Sequence, residues 1–169
     1  NLTRVIDVLE NAEAFLIGGG AGLSASAGLL YRGKRFQDNF PEHIKKYGLT
    51  DMYSSGFYPF KTQEEKWAYW SIHIKINRID PEAENTYLGL KQLVDRKPHF
   101  VITTNVDGLF YKAGFDPTSV FMIQGDYGKI QCEVPCHKKL YDIEQEVLQM
   151  VELQEGCKIP SNLVPKCPE

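Results

Sequence analysis

The sequence predicts an α/β fold with a mostly parallel sheet, followed by a small cysteine-bearing module. Three observations carry this. Short apolar runs alternate with segments of helical period, the pattern of strands joined by helical crossovers. The first apolar run, Phe15-Leu16-Ile17, leads directly into Gly18, Gly19, Gly20, Gly22 and Gly28, five glycines within eleven residues. All four cysteines lie at or beyond Cys132, in a segment that otherwise differs in composition from the rest.

The elements follow in order. Leu2, Val5, Ile6 and Leu9 recur at helical spacing and predict a short amphipathic helix over 3–11. Phe15-Leu16-Ile17 is too short to show a period, but the glycines after it favour a buried strand. Residues 31–62 are rich in aromatic and turn residues without a steady period and read as a mobile loop with short helices. Gln63 to Asn77 reads as a helix with Trp67, Trp70 and Ile74 on one face, where core packing is the plain reading of the tryptophans. Asn85 to Val94 is a helix expected to bury Tyr87, Leu90 and Val94. His99 to Thr103 is a strand, Gly108 to Ala113 a short helix and Val120 to Ile123 a short strand. A last helix is expected near Asp142 to Gln154. The implied organisation is a sheet-bearing portion over 1–129, with a mobile loop and helical insertion at 31–96, and a separate module over 130–169. No internal repeat is visible.

Composition narrows the partners. The chain has 169 residues, 43% hydrophobic and 12% aromatic, which suits a globular core. A net charge of −3 argues against bulk attraction to nucleic acid. No apolar run is long enough to span a membrane, and no signal peptide is visible at the start. A cytoplasmic protein with no nucleic-acid or membrane partner is the expectation. Asn1-Leu2-Thr3 fits a glycosylation sequon, a three-residue match that recurs by chance.

Glycines without Cβ atoms let backbone approach a ligand closely, and N–H groups at a helix start favour an anion. Gly20-Ala21-Gly22-Leu23-Ser24-Ala25 fits the G-x-G-x-x-G/A dinucleotide fingerprint. An ordinary dinucleotide unit would return within ~30 residues to a second strand carrying a ribose-binding acid; here a long insertion stands instead. Gly28 to Lys34 mimics a phosphate-binding P-loop, but Arg35 stands where Ser or Thr is required and no strand precedes it. On a parallel sheet, ligands sit at the carboxyl ends of the strands. The glycine loop, Thr104 to Asp107 and Gln124-Gly125-Asp126 all follow strands and are expected to line one crevice. Asn105 can orient a sugar hydroxyl there, and Asp107 can either stabilise positive charge or simply cap the helix beginning near Gly108. Cys132 and Cys136 have the spacing of a zinc pair, and Cys167 supplies a third thiolate. Cys157 and His137 are alternative ligands, free thiols are the alternative state, and the lack of an evident fourth ligand suggests a truncated chain.

Together these segments resemble the sirtuin family. Gly20-Ala21-Gly22-Leu23-Ser24 is similar to its Gly-Ala-Gly-x-Ser loop, Thr103-Thr104-Asn105-Val106-Asp107 to its Thr-Gln-Asn-Ile-Asp block, and the cysteine module to its zinc ribbon. The resemblance runs over about residues 3–169 and corresponds to the first half of a full sirtuin. It implies a Rossmann-like sheet of sirtuin type with a zinc-ribbon module, NAD as co-substrate and a structural zinc on Cys132, Cys136 and Cys167. By the same resemblance Gly20, Ala21, Gly22, Ser24, Leu30, Tyr31, Arg35, Phe36, Asn105, Asp107 and Gln124 bind NAD, and Asn105, Asp107 and Gln124 are the catalytic set. In it the glycine loop holds the pyrophosphate, Asn105 orients the nicotinamide ribose or the acceptor, Asp107 contacts the nicotinamide amide and Gln124 holds ribose hydroxyls.

Two departures separate this chain from the deacylases of the family. Their Pro-Asp-Phe-Arg is replaced by Leu30-Tyr31-Arg32-Gly33-Lys34-Arg35-Phe36, and their His-Gly by Gln124-Gly125. A glutamine amide cannot accept the proton that the histidine base removes, so lysine deacylation should be crippled. Both departures resemble the macrodomain-linked sirtuins of bacteria and fungi. That resemblance implies NAD-dependent mono-ADP-ribosylation of a lipoylated, glycine-cleavage H-like carrier protein, reversal by a macrodomain ADP-ribosyl hydrolase, and a tie to oxidative stress. An NAD-dependent lysine deacylase with an unusual base, and a non-catalytic NAD-sensing module, are the alternatives.

Overall fold

A computed structural model describes residues 2–169. It divides into two compact units, one running up to Ala27 and including Glu82–Gly125, the other of Gly28–Pro81 with Asp126–Glu169. This differs from the expected boundary at residue 130, where 31–96 belonged with the preceding portion. The reason is a shared core: Ala68 of the helical insertion packs with Met150 and Ile159, and Ile74 with Ile143 and Val147. Side chains so distant in sequence leave no local period that would join them.

The first unit holds the predicted parallel sheet. Strand β1 (Phe15–Gly19) pairs with β2 (His99–Thr103), and β2 with β3 (Val120–Met122), in the order β1-β2-β3. Helix α1 (Leu2–Asn11) forms as predicted. Its last turn is held by Lys97, whose ammonium donates to the carbonyls of Leu9, Glu10 and Ala12 at 2.9, 2.6 and 2.7 Å. A cation there satisfies carbonyls that lack an intrahelical donor. Helix α2 (Ala21–Ser26) follows β1 after a single residue, Gly20. Later in the chain, α7 (Asn85–Val94) buries Tyr87 and Val94 but leaves Leu90 half-buried. The short α8 (Leu109–Lys112) supplies Leu109 and Phe110 to the core. The Phe110 ring lies edge-on to Tyr87 and Phe115, with centroids 5.0 and 5.2 Å away.

That ring explains one of the glycines. A Cβ on Gly19 would stand 2.9 Å from Phe110 Cε2 and 3.1 Å from Thr103 Oγ1, whereas a Cβ on Gly18 would meet nothing within 4 Å. Gly19→Ala is therefore expected to lower stability by about 1–3 kcal/mol through overpacking, and Gly18→Ala to stay within about 0.5 kcal/mol of the parent. Denaturant midpoints at unchanged slope check both; equal midpoints for the two variants would show that Phe110 yields freely.

The second unit is helical, with one small hairpin. Residues 31–62 contain α3 (Lys34–Asn39), α4 (Pro41–Tyr47) and α5 (Met52–Ser55). They converge on Phe36, Phe40, Leu49, Met52 and Tyr69, a core edged by Tyr31, Tyr47, Tyr58, Phe60 and Trp70. Helix α6 (Gln63–Ile74) begins at Thr62, whose side chain accepts from Glu65 N–H, and continues as a π-helical turn over Lys75–Ile79. Trp67 and Trp70 pack on the cores and serve as packing residues, as read from sequence. The cores are completed by α9 (Glu144–Leu153), while β4 (Lys129–Ile130) and β5 (Tyr141–Asp142) form the antiparallel pair. No described helix is long and apolar enough to cross a membrane.

Candidate functional site

In the first unit, two of the predicted segments meet at the carboxyl end of the sheet. The Thr104 N–H and the Thr103 hydroxyl both donate to the Gly19 carbonyl, at 3.1 and 3.0 Å, and tie the glycine loop to the end of β2. The Thr103 hydroxyl also accepts from Asn105 N–H at 2.9 Å, which bends the chain inward. Asn105 and Asp107 are consequently buried, 7% and 5% exposed, although both follow a strand in a polar stretch.

The buried polar atoms form a directed chain. Asn105 Nδ2 donates to the Gly20 carbonyl at 3.0 Å and to the Tyr87 hydroxyl at 3.4 Å. Ser24 donates to Asp107 Oδ2 at 2.5 Å. Because a carboxylate accepts only, the Ser24 hydrogen is spent there. The 3.5 Å contact between Tyr87 and Ser24 must then have Tyr87 as donor. Burial raises the Tyr87 pKa and keeps that hydrogen in place. Asp107 Oδ1 accepts from Leu109 N–H at 3.0 Å, so Asp107 does cap α8 as the plain reading held. It also anchors the network.

Around this network the loop is open. The N–H groups of Ala21 and Gly22 open α2 and have no carbonyl one turn earlier to bond. A Cβ on Gly22 would meet nothing within 4 Å, so its small size is not demanded by packing. Gln124 follows β3, at the same edge of the sheet, with an exposed side chain. The 2.9 Å bond from Ile123 N–H to the Thr103 carbonyl fixes the chain just before it. The first two predicted segments are thus in contact, and the third shares their edge. Asp126, expected beside Gln124 in the crevice, belongs to the second unit. There Arg78 Nε donates to it at 2.7 Å and Gly128 N–H at 2.8 Å.

The remaining predicted nucleotide contacts lie in the second unit. Leu30 is exposed. Tyr31 is half-buried, with its ring edge-on to His73 at 5.4 Å. Arg35 donates to the Leu30 carbonyl, to Asn77 Oδ1 and to the Ile76 carbonyl at 3.2, 2.9 and 2.5 Å. It thereby satisfies a carbonyl of the π-helical turn. Phe36, expected to contact NAD, lies in the core at 2% exposure, buried because α3 turns it into the aromatic cluster. His73 is buried between two tyrosines. Tyr69 donates to the Met52 carbonyl, so His73 Nδ1–H donates to Tyr69 and Tyr127 donates to Nε2.

Cys132, Cys136 and Cys167 place their sulfurs within 4.8 Å of one another. Sulfurs on a tetrahedral zinc with ~2.3 Å bonds stand about 3.8 Å apart, so the cluster has the size for such an ion. Hydrogen bonds to and from its neighbours and their like charge push the Cys136 thiol up to about 11. Three thiolates at this spacing would need a cation to coexist. Cys157 is apart from the cluster, buried in the Glu155–Lys158 turn with φ of 62°. The His137 Nε2 lies 3.5 Å from Cys167 Sγ.

Sequence reasoning missed Tyr87, which it assigned only to an apolar helix face, and the π-helical turn with Asn77. A tyrosine at a buried helical position is signal enough to ask where its hydroxyl goes.

Comparison with known proteins agrees with this geometry. The Sir2 family profile matches residues 20–167. A protein ADP-ribosyltransferase of Staphylococcus aureus is 41% identical over 161 residues, which cover 95% of this chain and 51% of that protein. A probable bifunctional ADP-ribose hydrolase/ADP-ribosyltransferase of Fusarium oxysporum f. sp. cubense is 35% identical over 139 residues, 80% of this chain and 23% of that protein. The chain thus spans about half of the first relative and less of the second. Among solved structures, a Sir2 homologue–NAD complex matches with a TM-score of 0.59 at 19% identity, over 99% of this chain and 56% of that one. A sirtuin solved for the structural basis of substrate affinity matches with a TM-score of 0.64 at 22% identity, over 100% of this chain and 61% of that one. These likenesses establish the fold: a Rossmann-like parallel sheet of sirtuin type. The family profile, covering most of the chain, establishes that it belongs to the Sir2 family.

Proposed function

We propose that this protein is an NAD-dependent protein mono-ADP-ribosyltransferase that releases nicotinamide and modifies a lipoyl-carrier protein. The observation that carries the reading is Gln124. It stands at the carboxyl edge of the sheet, where the deacylases that this chain resembles use a histidine, and its amide takes no proton near neutrality. The four histidines supply no substitute in that unit. His43 and His73 are buried in the other unit, with pKa values lowered to about 4 and about 3 by burial. His99 opens β2 at the opposite edge of the sheet, and His137 sits beside Cys167. The names of the two relatives point the same way.

In this reading the glycine loop accepts the pyrophosphate, with room over Gly22. Both amide hydrogens of Asn105 are spent on Gly20 and Tyr87, so Oδ1 is the atom it offers to a hydroxyl of the ribose or of the acceptor. Asp107 stands close to developing positive charge, and Gln124 holds ribose hydroxyls without deprotonating them. The bond from ribose C1′ to the nicotinamide nitrogen breaks with its electron pair leaving on nicotinamide, and the acceptor nucleophile bonds to C1′ and loses its proton. Stabilising the charge of that separation is where fixed dipoles contribute most. Cys132, Cys136 and Cys167 would hold a structural zinc. A macrodomain hydrolase would reverse the modification, and a cytoplasmic setting under oxidative stress fits the reading.

The test is mass spectrometry of a glycine-cleavage H-like carrier, with and without lipoate, after incubation with the protein and NAD. A gain of one ADP-ribose on the lipoylated form is expected. NAD bound without nicotinamide release would instead select a sensing module.

A further inference from the structure

We propose that Tyr87 is a positioning residue: its hydroxyl receives Asn105 Nδ2–H and passes a hydrogen bond to Ser24, and together with the Gly20 carbonyl it fixes which way the Asn105 amide faces. The role given to Asn105 rests on the transferase reading above; the network itself does not.

An asparagine amide has two nearly isosteric orientations, and only the hydrogen-bond pattern separates them. Here the pattern is forced from one end. Asp107 accepts from Leu109 N–H on one oxygen and from Ser24 on the other. Ser24 has no second hydrogen, so it accepts from Tyr87. Tyr87 has no second hydrogen, so it accepts from Asn105. The Gly20 carbonyl takes the other amide hydrogen. Flipping Asn105 would turn Oδ1 toward the Gly20 carbonyl, an acceptor facing an acceptor. The chain of donors runs Asn105, Tyr87, Ser24, Asp107, and each bond polarises the next. Its contacts at 3.4 and 3.5 Å are long, so the effect is one of orientation more than of strength.

Tyr87 is well placed for this work. It is fully buried, its ring lies edge-on to Phe110 at 5.0 Å, and it reaches the site from α7. Phenylalanine keeps the ring and its packing and removes only the hydroxyl.

Tyr87→Phe in the full chain separates positioning from packing. The first readout is the Asn105 side-chain amide, observed by NMR with 15N-asparagine and assigned by its loss in Asn105→Asp. In the parent its hydrogens should exchange slowly; in Tyr87→Phe exchange should quicken by about tenfold or more. Phe110→Leu, which loosens the neighbouring packing but keeps the hydroxyl, should lower the Tm and leave that protection in place. Ser24→Ala removes the next acceptor and should weaken the same amide signature, which keeps the test open if Tyr87→Phe folds poorly. The second readout is nicotinamide release from NAD. Tyr87→Phe should lower kcat about tenfold while KM for NAD stays within about twofold. Unchanged amide exchange in both Tyr87→Phe and Ser24→Ala would overturn the proposal. So would a Tyr87→Phe protein with altered exchange but parental kcat. A parent that releases no nicotinamide would count against the transferase reading alone, because the amide readout still decides the network.

Discussion

Asn105→Ala is expected to lower ADP-ribose transfer by about two to three orders of magnitude, on the scale seen when one preorganised charge-stabilising group is removed. The residue is buried, and both hydrogens of its amide are spent on anchors, so Oδ1 arrives without reorganisation. Alanine removes that acceptor and strands the Gly20 carbonyl, which also costs about 1–3 kcal/mol of stability. Asn105→Asp is the sharper comparison. It is nearly isosteric, yet it cannot donate to Gly20 or Tyr87, and it should be as inactive as alanine. Gln124→Ala should weaken transfer less, because Gln124 is exposed and outside the buried network. Nicotinamide release followed by chromatography, beside thermal melts, checks all three. Parental transfer by a folded Asn105→Ala protein would remove Asn105 from the site.

The second large effect is on stability below neutral pH. His43 is pulled down to about 4, first by burial and then by the charge of Lys46; His73 to about 3, first by burial and then by Arg35. Both folded values lie below the ordinary value of about 6.5. The neutral rings are therefore what the fold prefers, and the unfolded chain takes up protons first as pH falls. The stabilisation is fully present above about pH 6.5 and is lost progressively toward the folded values. Two such groups would lower stability by about 3 kcal/mol between pH 6.5 and pH 5. His43 Nε2 has no hydrogen-bond partner, and its ring lies against Phe40, Tyr47 and Tyr69. His43→Phe therefore fits the surroundings and should remove one proton from the slope of stability against pH. Denaturant titrations across that range measure it. An unchanged slope in His43→Phe would show that His43 is not the group that titrates.

Much of this was legible in the residues, for reasons that differ by element. The strands at Phe15, His99 and Val120 could be read because glycine or turn residues bound short apolar runs. Residues 31–62 showed no period because helices of four to seven residues are too short to display one. Their punctuation was nonetheless present: Pro41 opens α4, Gly48 closes it with φ of 68°, and Asp51 caps α5 by accepting from Ser54 N–H. The burial of Phe36 was not legible, because a six-residue helix such as α3 shows no period that would reveal its ring turning inward. Asn105 and Asp107 were legible by type and by their place after a strand. Tyr87 was not, since helical period reports which side of a helix is buried and says nothing of where a hydroxyl points. The shared core of α6 and α9 lay beyond any local pattern.

The most direct measurement gives the protein NAD labelled in its adenine ring, together with a lipoylated carrier and an acetyl-lysine peptide in one mixture. Label bound to the carrier, matched by nicotinamide released, with the peptide still acetylated, is the predicted result. Label in an acetylated ADP-ribose, with the peptide deacetylated and the carrier unmodified, would contradict it.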